Sequence, residues 1–184
     1  MKLYFDFAKE GNTVILAVAA YPNHGGLKPT FKNVEVIEEV PEMYNNYHCM
    51  LKALHNGLCE LEKWILENRN YEDVLILSQH KQVFEWLTKK RAGAAYQQLL
   101  NEVLEKLEYL APAIKFSFMK VDKKTNLSNA LIVQEKRKLL ENPVKYDFKG
   151  NTRGILDALD KINNERDKML GNGDNIIPFD KLKL

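Results

Sequence analysis

A chain of 184 residues is long enough for one well-covered core and an appendage. With 45% hydrophobic and 28% charged residues it has the composition of an ordinary globular domain, and a net charge of +2 is too small to point to a nucleic-acid partner by itself. No apolar run approaches the roughly 20 residues that a membrane span needs, so no membrane association is expected. The opening Met1-Lys2-Leu3-Tyr4-Phe5-Asp6 fits a strand interrupted by an acid and not a signal peptide, and a cytoplasmic location is expected.

Leu3 to Tyr21 is the stretch on which the rest is layered. It predicts two strands joined by a tight turn at Lys9-Glu10-Gly11-Asn12. Strand side chains alternate, so Leu3, Phe5 and Phe7 face one way, and Tyr4 and Asp6 the other, with Asp6 near the strand's end. Thr13 to Ala20 is apolar almost throughout, as befits a strand covered on both faces in the middle of a sheet. Pro22-Asn23-His24-Gly25-Gly26 is a turn cluster in which His24 reads as a solvated loop residue. Phe31 to Val40 predicts a third antiparallel strand, stopped at Pro41, and the acids Glu35, Glu38, Glu39 and Glu42 fit a solvated edge.

Glu42 to Glu67 predicts a long helix, with Leu51, Leu54, Leu58, Leu61 and Ile65 forming one apolar stripe. Cys49 and Cys59 both fall on it, about 15 Å apart at the helical rise. A disulfide tolerates only about 7 Å between Cα atoms, so two free thiols are expected. Val74 to Leu77 has the length of a buried strand, and strand, helix, strand is the pattern of a parallel crossover. Helices follow at Lys81 to Lys89 and Tyr96 to Leu110, separated by the basic Lys89-Lys90-Arg91. Ile114 to Val121 alternates as a fifth strand; a loop at Asp122 to Thr125 leads to a helix at Asn126 to Leu140.

Composition shifts near Asn142-Pro143, which divides the chain into a domain at 1–142 and an appendage at 143–184. The appendage holds a linker, a helix capped by Thr152 and an apolar tail from Ile176 to Leu184. That tail either packs on its own domain or docks a partner chain, which would make a homodimer.

Three antiparallel strands, helix, strand, helices, strand, helix: this order resembles the ribonuclease H-like superfamily over about residues 3–140. Tyr4-Phe5-Asp6-Phe7-Ala8 looks like its first strand, Tyr44-Asn45-Asn46-Tyr47-His48-Cys49 like its helix start, Leu75-Ile76-Leu77-Ser78-Gln79-His80 like its fourth strand. Val121-Asp122-Lys123-Lys124-Thr125-Asn126 with Leu127-Ser128-Asn129-Ala130 looks like the loop and start of its last helix. The resemblance implies an α/β fold: a five-stranded mixed sheet, three strands antiparallel and then two parallel, flanked by helices and followed by a C-terminal helical extension.

That family cuts RNA with two divalent ions held by three or four acids, one ion activating water and the other stabilising the leaving oxygen. Here only Asp6 matches; Cys49, Gln79 and Ala130 (Asn129 if the register slips by one) occupy the other positions. Hard ions need oxygen ligands, and a soft thiol and neutral amides cannot offset their charge. Asp6, His48 and His80 converging on a transition metal, or Asp122 and Glu135 replacing the lost acids, are weaker readings.

The resemblance also places the helix after the fourth strand against a nucleic-acid backbone. Lys81, Lys89, Lys90 and Arg91 fall there, and Lys123 and Lys124 lie in a stretch, Ser117 to Gly150, with eight bases against four acids. Trp86 and Tyr96 stand beside these bases as possible stacking partners, though Trp86 fits a half-buried core position better. The expected function is therefore a non-catalytic nucleic-acid-binding or scaffolding protein with a degenerate metal site and no cofactor. A divergent nuclease acting on RNA–DNA hybrids or structured nucleic acid, with magnesium or manganese, is the alternative; a protein-interaction domain is the third.

Overall fold

β1 (Lys2–Glu10) and β2 (Thr13–Tyr21) form the central hairpin, paired in full from Lys2↔Tyr21 to Glu10↔Thr13. The first strand runs two residues further toward the turn than the sequence suggests, while the second begins at Thr13 as expected, so the turn narrows to Gly11-Asn12. Gly11 takes the left-handed backbone there, with φ of 57°, which a residue bearing Cβ adopts only with strain. The structure, a computed structural model, describes residues 1–23, 28–40, 44–69, 73–141 and the strand at 176–178. His24, the linker at 143–150, the helix capped by Thr152 and the tail beyond Pro178 fall outside the described residues.

β3 (Phe31–Ile37) pairs antiparallel with β2 and ends three residues before Val40. Glu39 turns left-handed, and the Val40 N–H donates to Asn12 O at 3.0 Å instead of to a ladder. α1 (Asn46–Asn68) begins later than Glu42 because Asn45 caps it, its side chain accepting from the Tyr47 and His48 N–H groups. β4 (Val74–Ser78) then pairs parallel with β1. α2 (Lys81–Lys89) lies where its apolar residues place it, and α3 (Ala94–Leu110) starts two residues early. β5 (Phe116–Lys120) pairs parallel with β4; after a short 3-10 turn at Lys123–Thr125 comes α4 (Ser128–Glu141).

Of the tail's two readings, packing on its own domain holds for three residues. β6 (Ile176–Pro178) pairs antiparallel with β5, so a sixth strand extends the five expected, in the order β3-β2-β1-β4-β5-β6. A proline suits this position, since it cannot donate to a further ladder.

Two layers of helix cover the sheet. Leu3, Phe5, Val14, Leu16, Val18, Ile76, Phe116 and Phe118 meet α1, α2 and α3 in the larger core. Ile15 and Ala17 meet Ile132 and Leu139 of α4 in a smaller one. β2 is thus buried on both faces, as its continuous apolar run requires. α1 lies close to β2 at Gly57, where a Cβ would stand 3.1 Å from Val18 Cγ1. Cys49 and Cys59 are free. Among the described residues no helix is long and apolar enough to cross a membrane.

Candidate functional site

The parallel pairing of β1 with β4 stops at Tyr4↔Leu77. Beyond it β1 continues while β4 gives way to Gln79, and this offset brings Gln79 beside Asp6. Asp6 is neither at the strand's end nor solvated: it lies mid-strand and is 1% exposed. Its Oδ1 accepts from Phe7 N–H at 2.8 Å and from Gln79 Nε2 at 3.1 Å. Asp6 Oδ2 and Gln79 Oε1 are buried and receive no hydrogen bond from the described residues. Loss of water pushes the Asp6 carboxyl up to about 6, while the Phe7 N–H and the charge of Lys123 pull it part of the way back.

Gln79 Nε2 also lies 3.0 Å from His80 Nε2. An amide N–H can only donate, so His80 accepts there and carries its own proton on Nδ1. Burial first, and Lys123 second, hold the His80 pKa below its usual value, consistent with a neutral ring. The ring leans on Phe7, with centroids 5.8 Å apart. His48 takes no part in this: it packs against Tyr44 with centroids 4.2 Å apart at the start of α1. The idea that Asp6, His48 and His80 share a metal is therefore not supported. Among the described residues no group of three or more His, Cys, Asp or Glu side chains is arranged to hold a metal ion.

Cys49 is buried in the first turn of α1, its thiol 3.9 Å from Tyr44 O, and burial raises its pKa against the opposing charge of Lys9. It is a neutral thiol, not a thiolate ligand. Ala130 lies in the first turn of α4 and offers no donor, with Asn129 beside it. Asp122 is exposed in the loop, and Glu135 pairs with Lys138 at 2.7 Å. A pair of magnesium ions brings four positive charges, and Asp6 has one amide and one imidazole beside it, with a thiol at the helix position that should carry an acid. This donor set does not fit the pair.

The start of α4 is tied to β1 by a residue whose role the sequence reading missed. Asn126 Nδ2 donates to Phe5 O at 3.0 Å, and its Oδ1 accepts from Ser128 N and Oγ at 3.2 and 2.6 Å, all buried. An Asn followed two positions later by Ser, just ahead of a helix, is the available signal. Asn126→Ala leaves the Phe5 carbonyl without its side-chain donor and is expected to cost about 2 kcal/mol of stability, read from urea unfolding.

The basic residues stand as follows. Lys81 pairs with Glu85 at 3.2 Å and Lys90 with Glu108 at 3.6 Å, both at the surface. Lys89 and Arg91 are exposed, and the Arg91 N–H donates to Trp86 O at 3.2 Å. Lys123 and Lys124 are exposed in the 3-10 turn, and the charge of Lys123 reaches both Asp6 and His80. Surface pairs of this kind are weak, so they leave these cations available to a competing anion.

No protein-family model matches the chain, and no curated protein matches it in sequence. Solved structures do. RNase H1 of the halophilic archaeon Halobacterium salinarum superposes with a TM-score of 0.52 at 18% identity, over 69% of this chain and 89% of that one. LC11-RNase H1, isolated from compost by a metagenomic approach, gives 0.60 at 14% identity, over 76% of this chain and 96% of that one. The same enzyme in complex with an RNA/DNA hybrid gives 0.56 at 14% identity, over 68% and 88%. With its β3-β2-β1-β4-β5 order, three strands antiparallel and the next two parallel, and helices on both faces, this chain has the ribonuclease H-like fold.

Proposed function

We propose that this domain binds nucleic acid without cutting it, as a ribonuclease H-like protein whose metal site has degenerated. The observation that carries the reading is the surroundings of Asp6: a buried carboxyl, pushed up to about 6, hydrogen-bonded to an amide where the fold's catalytic members place another acid. Such a carboxyl gains from being neutral and lacks the neighbours that would make a pair of dications welcome. Support for nucleic acid as the partner is of two kinds. LC11-RNase H1, which shares the fold, is seen with an RNA/DNA hybrid. The exposed cations of α2 and of the Lys123–Thr125 turn lie near the same end of the sheet, where they suit phosphate contacts that give affinity without sequence preference.

Two assays on the full chain test this. Incubation with a labelled RNA–DNA hybrid and magnesium or manganese is expected to give no cleavage beyond that of Asp6→Asn. Retention on an oligonucleotide column is expected to fall steeply as salt rises. Asp6-dependent cleavage would end the non-catalytic reading, and failure to bind any oligonucleotide at low salt would leave a protein-interaction role in its place.

A further inference from the structure

Three helices meet in an aromatic group that the metal-site argument does not use. Trp86 of α2 and Tyr96 of α3 stack, with ring centroids 5.4 Å apart and planes inclined by 20°. Tyr47 of α1 closes on both, 5.1 Å from Trp86 and 5.9 Å from Tyr96. Tyr47 is 40% exposed, while Trp86 and Tyr96 are half-buried and pack against the core.

The frame around the rings is fixed. The Asn45 side-chain amide donates to the Tyr96 hydroxyl, and the same Asn45 caps α1. The loop after α2 is held by Gln97, whose Oε1 accepts from Ala92 N at 2.8 Å and whose Nε2 donates to Lys90 O. Cations stand next to it. Lys89 follows Trp86 by three positions, the spacing of neighbours on a helix surface, and the Arg91 N–H donates to Trp86 O just past the helix's C-cap at Lys90. Lys81, Lys89, Lys90 and Arg91 face one acid, Glu85, within the segment from Lys81 to Arg91.

Partly exposed aromatic rings on a rigid frame beside the exposed cations Lys89 and Arg91 match one ligand chemistry: a nucleobase free to stack, joined to phosphates. A duplex keeps its bases inside and offers only the phosphates. We infer that Tyr47, Trp86 and Tyr96 form a stacking site for an unpaired base of a single-stranded nucleic acid, with Lys89 and Arg91 taking the adjacent phosphates. This deepens the nucleic-acid reading above and rests on it.

Trp86 reports on its own site. The chain has two tryptophans, so Trp64→Phe leaves Trp86 as the single tryptophan, excited selectively at a wavelength where tyrosine does not absorb. That variant is titrated at low salt with a short oligothymidylate and with a blunt-ended duplex of two complementary strands, without a loop, at the same phosphate concentration. The single strand is expected to quench Trp86, and the duplex to bind with little quenching. Adding Tyr47→Ala, a change at a partly exposed position, is expected to weaken the single strand about tenfold and leave the duplex nearly unchanged; Tyr47→Phe, which keeps the ring, is expected to retain affinity. If both ligands bind with salt-dependent affinity but Trp86 is unquenched and Tyr47→Ala has no effect, the stacking site is wrong while phosphate binding stands. If neither ligand binds, both readings fall together.

Discussion

Asp6→Asn is expected to stabilise this protein at neutral and alkaline pH. Burial raises the Asp6 carboxyl from its ordinary 3.8 to about 6. Between those values the folded protein keeps a proton that the unfolded chain has released, so wild-type stability falls as pH rises through the window and levels off above it. At about 1.4 kcal/mol per pH unit the cost approaches ~3 kcal/mol. Asparagine has no charge to desolvate, and its carbonyl oxygen is placed to keep the bonds that Phe7 N–H and Gln79 Nε2 now give to Oδ1. Losing the attraction of Lys123 offsets part of the gain. A net increase of about 2 kcal/mol, or roughly 4–8 °C in Tm for a chain of this size, is expected above about pH 7.5. Near about pH 4 wild-type Asp6 is protonated when folded, and the difference should vanish. Paired thermal melts at the two pH values check this. A variant that is less stable than wild type at the higher pH, or equally stabilised at both, would show that Asp6 does not carry the burial cost assigned to it.

Phe84→Ala is expected to have the larger effect, in the opposite direction. Phe84 of α2 is 3% exposed and stands between two rings of the sheet, 6.4 Å from Phe5 of β1 and 5.5 Å from Phe118 of β5. All three lie in the larger core, and α2 follows directly on the strand end that brings Gln79 to Asp6. Truncation removes the apolar transfer energy of the ring and leaves a cavity flanked by two aromatic side chains that cannot close it. A loss of about 3–5 kcal/mol is expected from urea unfolding. Phe84→Leu keeps most of the volume and should cost less than half as much. Equal losses for the two variants would mean that ring volume is not what this site requires.

The hairpin was legible because its residues alternate in one strand and stay apolar in the next, and each pattern follows from which faces are covered. α2 was legible to its first and last residue for a similar reason: Val83, Phe84 and Leu87 are the residues it buries. The start of α1 was not, because Glu42 suits a first helical turn while the cap that decides the matter is the Asn45 side chain. The short strand β6 was open between two readings, since three apolar residues in a tail do not say which edge they join.

At the candidate site the replaced acids were visible directly as residue types: Cys49, Gln79 and Ala130. What surrounds Asp6 was not. Its burial was not legible because the groups that bury and bond it are remote in sequence, Gln79 by 73 positions. The Asn126 brace to Phe5 spans 121. The aromatic group depends on three helices meeting, which no one segment encodes, and only its members Trp86 and Tyr96 stood out beforehand.

Manganese titration of the full chain by calorimetry at mildly alkaline pH, where Asp6 is ionised, asks whether Asp6 can hold a metal ion at all. A degenerate metal site gives no saturable binding in the low-millimolar range and the same trace for wild type and Asp6→Asn. Stoichiometric uptake of manganese that disappears in Asp6→Asn would contradict it, since that result requires further acidic ligands around Asp6.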